Sequence, residues 1–270
     1  MRSTLRALSF IAVVTVASFG SPAVIHAQSD SAPAGAAVRE PLKLHVEHQE
    51  MLPEVDSGLQ PGNQFDPSAM KARAVKETWV QIPSWFAGQF ASRSHTQVSQ
   101  VSLLDGKQLL RKPLVMTSDR TDRHGMQQDA RGGIWHRIQV PFSTEVPVGD
   151  STSYQSVTDQ DYSVPGADDV IIHYLGVQSS ISPTGKVIDS KQVETIQEYR
   201  PLGSDQMQCT ASLKEFDAAG HPITLIKEVW TERRIAGFTP YDRSTRGDDL
   251  RTSFRSFLAA NNMTDLIPTD

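Results

Sequence analysis

From Val170 to Arg234 apolar and polar residues alternate with a period of two, and turn-forming residues interrupt the alternation three times. VIIHYLGVQSSIS gives way at Pro183-Thr184-Gly185, KVIDSKQVETIQEYR at Pro201-Leu202-Gly203-Ser204-Asp205, and QMQCTASLKEF at Asp217-Ala218-Ala219-Gly220 before PITLIKEVWTERR. A two-residue period cut by Pro, Gly and Asp predicts an antiparallel meander. Upstream, strand-like sequence begins at Trp79. GQFASRSHTQVSQVSLL turns at Asp105-Gly106 into KQLLRKPLVMTS, where Pro113 predicts an edge or bulge. GMQQD and IWHRIQVPF flank Ala130-Arg131-Gly132-Gly133 as a second hairpin. Its second arm places Ile134, His136, Ile138 and Val140 on one face and Trp135, Arg137 and Gln139 on the other. TSYQSVTDQDYSV adds a further strand before Pro165-Gly166.

Two segments change to a helical period. Asp66-Pro67 reads as an N-cap followed by proline at the first helical position, so SAMKARAVKE is expected to be a short helix ending before Thr78. Near the C-terminus Leu250, Phe254, Phe257 and Leu258 form one apolar stripe behind an Asp248 N-cap, with Arg251, Arg255 and Asn261 expected to face solvent. A helix this short needs a surface to dock on, so its stripe is expected against the outer wall of the β-structure. The expected fold is all-β: an antiparallel up-and-down barrel of about eight or nine strands with a short N-terminal helix and a C-terminal helix, because closure removes sheet edges.

The N-terminus has the three parts of an export signal. Arg2 and Arg6 precede the apolar run LSFIAVVTVASF, and Gly20 to Ala27 ends on small residues. The apolar run falls short of the ~20 residues that span a bilayer, and no later run reaches that length, so no integral membrane segment is expected after cleavage. The expected organisation is a signal peptide at 1–27, a disordered or extended arm at 28–65, the barrel domain at 66–262 and a tail at 263–270. Within the arm, Leu42, Leu44 and Val46 suggest a short outer strand. Cys209 is the sole cysteine and falls in register with Met207, Ala211 and Leu213, so it reads as a buried small apolar residue. A mature chain of about 240 residues buries a core without disulfides, which points to a bacterial periplasm or extracellular destination.

Loss of Arg2 and Arg6 with the signal takes the formal charge from −5 to −7. That balance argues against nucleic acid and anionic membrane surfaces as partners. Arg111-Lys112 and the cluster Arg120, Arg123 and Arg131, interleaved with Asp119, Asp122 and Asp129, read as a solvated, self-compensated face.

Where the strands begin, Trp85 to Phe90 (WFAGQF) resembles the opening of lipocalin-like barrels, in which a Gly-x-Trp follows a short helix and a C-terminal helix packs on the barrel. Here the triplet is Gly88-Gln89-Phe90, with Phe in the tryptophan position and without the disulfides common in secreted members. The resemblance implies an internal cup for a small apolar or amphipathic ligand, lined by Trp85, Phe90, Trp135, Tyr174 and Trp230. His136 and His173 fall in apolar registers of their strands and join this ligand-binding set.

Candidate chemistry is sparse. His45-Val46-Glu47-His48 has metal-like spacing on a helix, but on a strand its two histidines point to opposite faces, so no metal or other cofactor is assigned. Gly149-Asp150-Ser151 matches an esterase nucleophile motif but has no accompanying Asp-x-x-His and reads as a turn. No Gly-x-Ser-x-Gly, His-Glu-x-x-His or Cys-x-x-Cys occurs. Three readings follow: a non-enzymatic exported cup for a small ligand, an envelope scaffold that meets a protein partner through the barrel surface and arm, and a hydrolase using carboxylates among Asp159, Asp161, Asp168, Asp169, Glu194, Glu198 and Glu228.

Overall fold

A computed structural model describes residues 47–69 and 75–269. The expected signal segment, His45 and the suggested strand at Leu42 to Val46 lie outside the described residues. Among the described residues eleven strands follow in chain order: β1 (Lys76–Ile82), β2 (Gly88–Ser102), β3 (Leu114–His124), β4 (Gln127–Gln128), β5 (Ile134–Val140), β6 (Phe142–Val148), β7 (Ser151–Gly166), β8 (Asp169–Ile181), β9 (Val187–Pro201), β10 (Gln206–Phe216) and β11 (Pro222–Ala236). One α-helix, α1 (Leu250–Ala260), comes after them.

The three meander turns fall where the alternation breaks, between β8 and β9, β9 and β10, and β10 and β11. Every ladder is antiparallel, and the large sheet runs β3-β2-β11-β10-β9-β8-β7-β6. Its end strands β3 and β6 do not pair with each other. The chain between them passes through β4 and β5, which form a separate three-stranded sheet in the order β1-β5-β4. The sheets therefore do not close by hydrogen bonding. Instead β5 faces β7 through side chains: Nε2 of His136 lies 3.2 Å from the hydroxyl of Tyr162.

The expected N-terminal helix is only partly within view. Pro67–Ala69 form a turn in which Oδ1 of Asp66 accepts from Ser68 N, and residues 70–74 lie outside the described residues. Lys76 and Glu77, expected as the helix end, are instead the start of β1, paired with Val140 and Gln139 of β5. Cross-strand hydrogen bonds override the helical propensity of those two residues.

Helix α1 docks as its stripe requires. Leu250, Phe254 and Leu258 are fully buried against Trp79 of β1 and Trp135 of β5, with Phe257 partly buried beside them. The N-cap is Asp249, whose carboxylate accepts from Thr252 N, while Asp248 pairs at 2.9 Å with Arg137 on β5. Arg255 does not face solvent alone: it donates to the carbonyl of Pro268 at 2.7 Å. The tail packs into the same cluster through Leu266 and Ile267.

The described part of the arm lies on the outer face of the large sheet. Leu52 N donates to Gly220 O at 3.0 Å and Val55 N to Ala218 O at 2.9 Å. Gly220 adopts φ +88°, and a Cβ there would sit 1.8 Å from the Leu52 carbonyl, so the close approach needs glycine.

Candidate functional site

The alternation of the meander gives the large sheet an inner face with a defined layer structure. Four successive layers cross its central strands. Thr224, Glu215, Val193 and Gly176 form one, and Ile226, Leu213, Thr195 and Tyr174 the next. Then come Gln97, Glu228, Ala211 and Gln197, and finally His95, Trp230, Cys209 and Tyr199. Beyond these, Glu232 stands opposite Met207. The inner positions of β8 are half-exposed from Gly176 onward, as are Val193 and Lys191 on β9, so the inner face meets solvent at that end. There Lys191 forms an ion pair with Glu215. Each layer advances by two residues, so Glu228 lies about 13 Å along the strand from that end.

Charge is concentrated in this interior. Arg120 and Asp122 of β3, expected on a solvated face, have side chains only 8% and 5% exposed. The Nε of Arg120 lies 2.5 Å from Oδ2 of Asp122, and its Nη2 is 3.7 Å from Oε1 of Glu232. The guanidinium also stands over the Trp230 ring at 5.3 Å. The sequence signs interleave as on a compensated surface, but β3 pairs with β2 and turns this segment inward, where Asp122 stands opposite Phe90. Three acids, Asp122, Glu228 and Glu232, thus share one buried guanidinium.

Burial raises all three carboxyls, with Arg120 pulling the other way. Glu228 is held at about 7, and Glu232, also raised by the neighbouring Asp122 charge, at about 7. Burial lowers His95 to about 4, helped by Arg120, and lowers His136 to about 4. His124, stacked on Phe86 at 4.0 Å, is pushed well below its ordinary value by burial, His136 and Arg120 in that order. These three histidines are therefore neutral at pH 7, leaving Arg120 as the principal positive charge of this interior cluster.

Among the described residues several of these groups have no hydrogen-bond partner: both carboxylate oxygens of Glu228, Oε2 of Glu232, Nε2 of Gln197, Oγ of Ser92 and both ring nitrogens of His124. Buried polar atoms are almost always satisfied, and each one left over costs about 1–3 kcal/mol. These atoms all lie on the inner face. At the end remote from the opening, a half-open groove of about 240 Å3 reaches His124, with Gln89, Arg123, Phe238 and Tyr241 among its walls.

The residues expected to line a cup divide. Phe90, His136, Tyr174 and Trp230 all reach the inner face. His136 accepts from Gly125 N at 3.2 Å, and Trp230 stacks on His95 at 4.9 Å while donating to Glu232 at 2.8 Å. Trp85 stands at the rim, partly buried against the core, and donates to Ala167 O at 2.7 Å. Trp135 belongs to the opposite face of β5, under α1, where its Nε1 donates to Asp129 at 2.8 Å. His173 also points outward, because it neighbours Tyr174 on a strand. Sequence reasoning missed Arg120, Asp122, His95, His124 and Glu232, and noted Glu228 only as a strand acid. The available signal was the acid at every second inward position of β11, Ile226-Glu228-Trp230-Glu232.

On the outer face His173 meets a second cluster. Its Nε2 lies 2.8 Å from Oε1 of Glu194, whose Oε2 is 2.9 Å from Nδ1 of His48 and 2.8 Å from Gln49 N. Nε2 of His48 is 2.8 Å from Oγ of Ser212. The order Ser-His-Glu matches a nucleophile relay, but Ser212 is 2% exposed beneath the arm, so no substrate reaches its hydroxyl. The cluster acts as a clasp for the arm. Burial raises Glu194, but hydrogen bonds from His173, His48 and Gln49 outweigh it and hold the carboxyl at about 2. Among the described residues, no group of three metal-binding side chains could hold an ion, and no helix is long and apolar enough to cross a membrane.

Comparison with protein-family models, with curated proteins and with solved structures yields no match.

Proposed function

We propose that the protein is an exported, non-enzymatic binding protein whose lumen takes a small amphipathic molecule. In this reading the two sheets together form a lipocalin-like cup, with side-chain packing between β5 and β7 standing in for the missing ladder. The observation that carries it is the set of unpartnered polar atoms on the inner face, from Glu228 to His124. A guest with both polar and apolar parts satisfies those atoms and packs against Ile226, Leu213 and Tyr174. A hydrolytic role for the strand acids has less support, because Glu194 is engaged by the arm and Asp159 and Asp161 pair with Lys76 at the surface.

The test is native mass spectrometry of protein purified from its host, paired with thermal shifts in a panel of small amphiphiles. A bound species released by organic solvent, or a shift that disappears in a lumen-filling Ala211→Leu variant, supports the reading. Equal shifts in parent and variant would place binding elsewhere and overturn it.

A further inference from the structure

We infer that the lumen selects a ligand with a cationic, donor-rich head, such as a primary ammonium on an apolar body, and that Glu228 receives that head. The inference rests on the cup reading and adds the chemistry of the guest. Glu228 is fully buried, and neither of its oxygens has a hydrogen-bond partner among the described residues. The small Ala211 stands directly opposite it on one side and Gln97 on the other.

The layers give the site a polarity along its axis. A molecule entering past Val193 and Gly176 first passes Ile226, Leu213, Thr195 and Tyr174, then meets Glu228. Its leading end therefore faces an acceptor while its trailing body lies against largely apolar side chains. Charge balance points the same way. Arg120 is paired with Asp122 and lies near Glu232, so although its Nη1 has no hydrogen-bond partner among the described residues, an anionic head beside Glu228 would meet three carboxyl groups against one guanidinium. An ammonium group supplies donors that the unpaired Glu228 oxygens lack, and it compensates a buried negative charge.

Three probes of equal chain length separate the possibilities: n-octylammonium, octanoate and n-octanol, titrated calorimetrically into the full mature chain and into Glu228→Gln. At pH 8 the parent is expected to bind octylammonium at least about tenfold more tightly than octanoate. Glu228→Gln, a neutral isostere, should lose that preference while its octanol affinity changes less than about threefold. In the parent, octylammonium affinity should also rise from pH 6 to pH 8 as Glu228 gives up its proton, a readout that needs no variant. The groups facing this part of the lumen are Arg120, Asp122, Glu232, His95, Cys209 and Tyr199, and octanol measured across the same range controls for their titration. Equal or better binding of octanoate, a preference that survives in the variant, or a flat pH profile overturns the head-group assignment and leaves the cup standing. Failure of all three probes to bind the folded parent overturns the cup as well.

Discussion

Nδ1 of His48 lies 2.9 Å from Oε2 of Glu194, joining the N-terminal arm to the middle of β9 across 146 residues of sequence. The same carboxylate accepts from His173 and from Gln49 N, so one buried side chain holds both the arm and the neighbouring strand. Glu194→Gln keeps the shape but weakens charge-assisted bonds. It should raise hydrogen exchange and protease cleavage across residues 49–56 while β9 to β11 stay protected. Unchanged protection of the arm in that variant would assign its docking to the Leu52 and Val55 backbone bonds alone.

The clasp also has a pH signature. Glu194 is depressed to about 2 from an ordinary value of 4.5, so its contribution to stability is complete above about pH 4.5 and is lost as pH falls toward 2. Chemical denaturation of parent and Glu194→Gln should therefore differ at pH 6 and converge near pH 2. A gap that stays constant with pH would show that the carboxylate charge is not what holds the arm.

Glu228 has the opposite sign. Its carboxyl is raised from 4.5 to about 7, so between those values the folded chain holds a proton the unfolded chain has released, and stability falls as pH rises. Glu228→Gln should be more stable than the parent at pH 8, by up to about 3 kcal/mol, and similar to it at pH 5. Urea denaturation at the two pH values measures this. A variant less stable at pH 8 would mean that the ionised carboxylate has a partner in the native lumen.

Removing Arg120 leaves Asp122 and Glu232 without their buried counter-charge. Arg120→Met should cost about 3–5 kcal/mol near neutral pH, and the loss should shrink in acid as the two carboxyls become neutral. The double variant Arg120→Met with Asp122→Asn should recover part of the loss, which a thermodynamic cycle reads directly.

Phe254 of α1 packs at 4.9 Å from Trp79 and 5.6 Å from Trp135, ring centre to ring centre. Phe254→Ala should cost about 3–5 kcal/mol, against less than about 0.5 kcal/mol for the exposed Ser256→Ala. Thermal denaturation of the two variants gives the comparison, and equal losses would mean that the helix adds little to the fold.

Local pattern alone determined the meander strands from β8 to β11, the turns between them and the C-terminal stripe. Alternation from Val170 to Arg234 is a property of neighbours along the chain, and so are the Pro, Asp and Gly residues that mark the turns. The helical spacing of Leu250, Phe254 and Leu258 is equally local, and it named the apolar surface that must find a wall. Tertiary structure decided what spacing does not encode. A period of two says that Trp135 and His136, or His173 and Tyr174, face opposite ways, but not which face becomes the lumen. Arg120 and Asp122 carry the interleaved signs of a solvated surface, and only the pairing of β3 with β2 turned them inward. The pairing of Lys76 and Glu77 with β5, the gap between β3 and β6, and the reach of His48 to Glu194 are likewise contacts between residues far apart in sequence. Such contacts depend on which surfaces remain to be covered once the local elements exist, and that is settled by burial and by satisfying backbone polar groups across the whole fold.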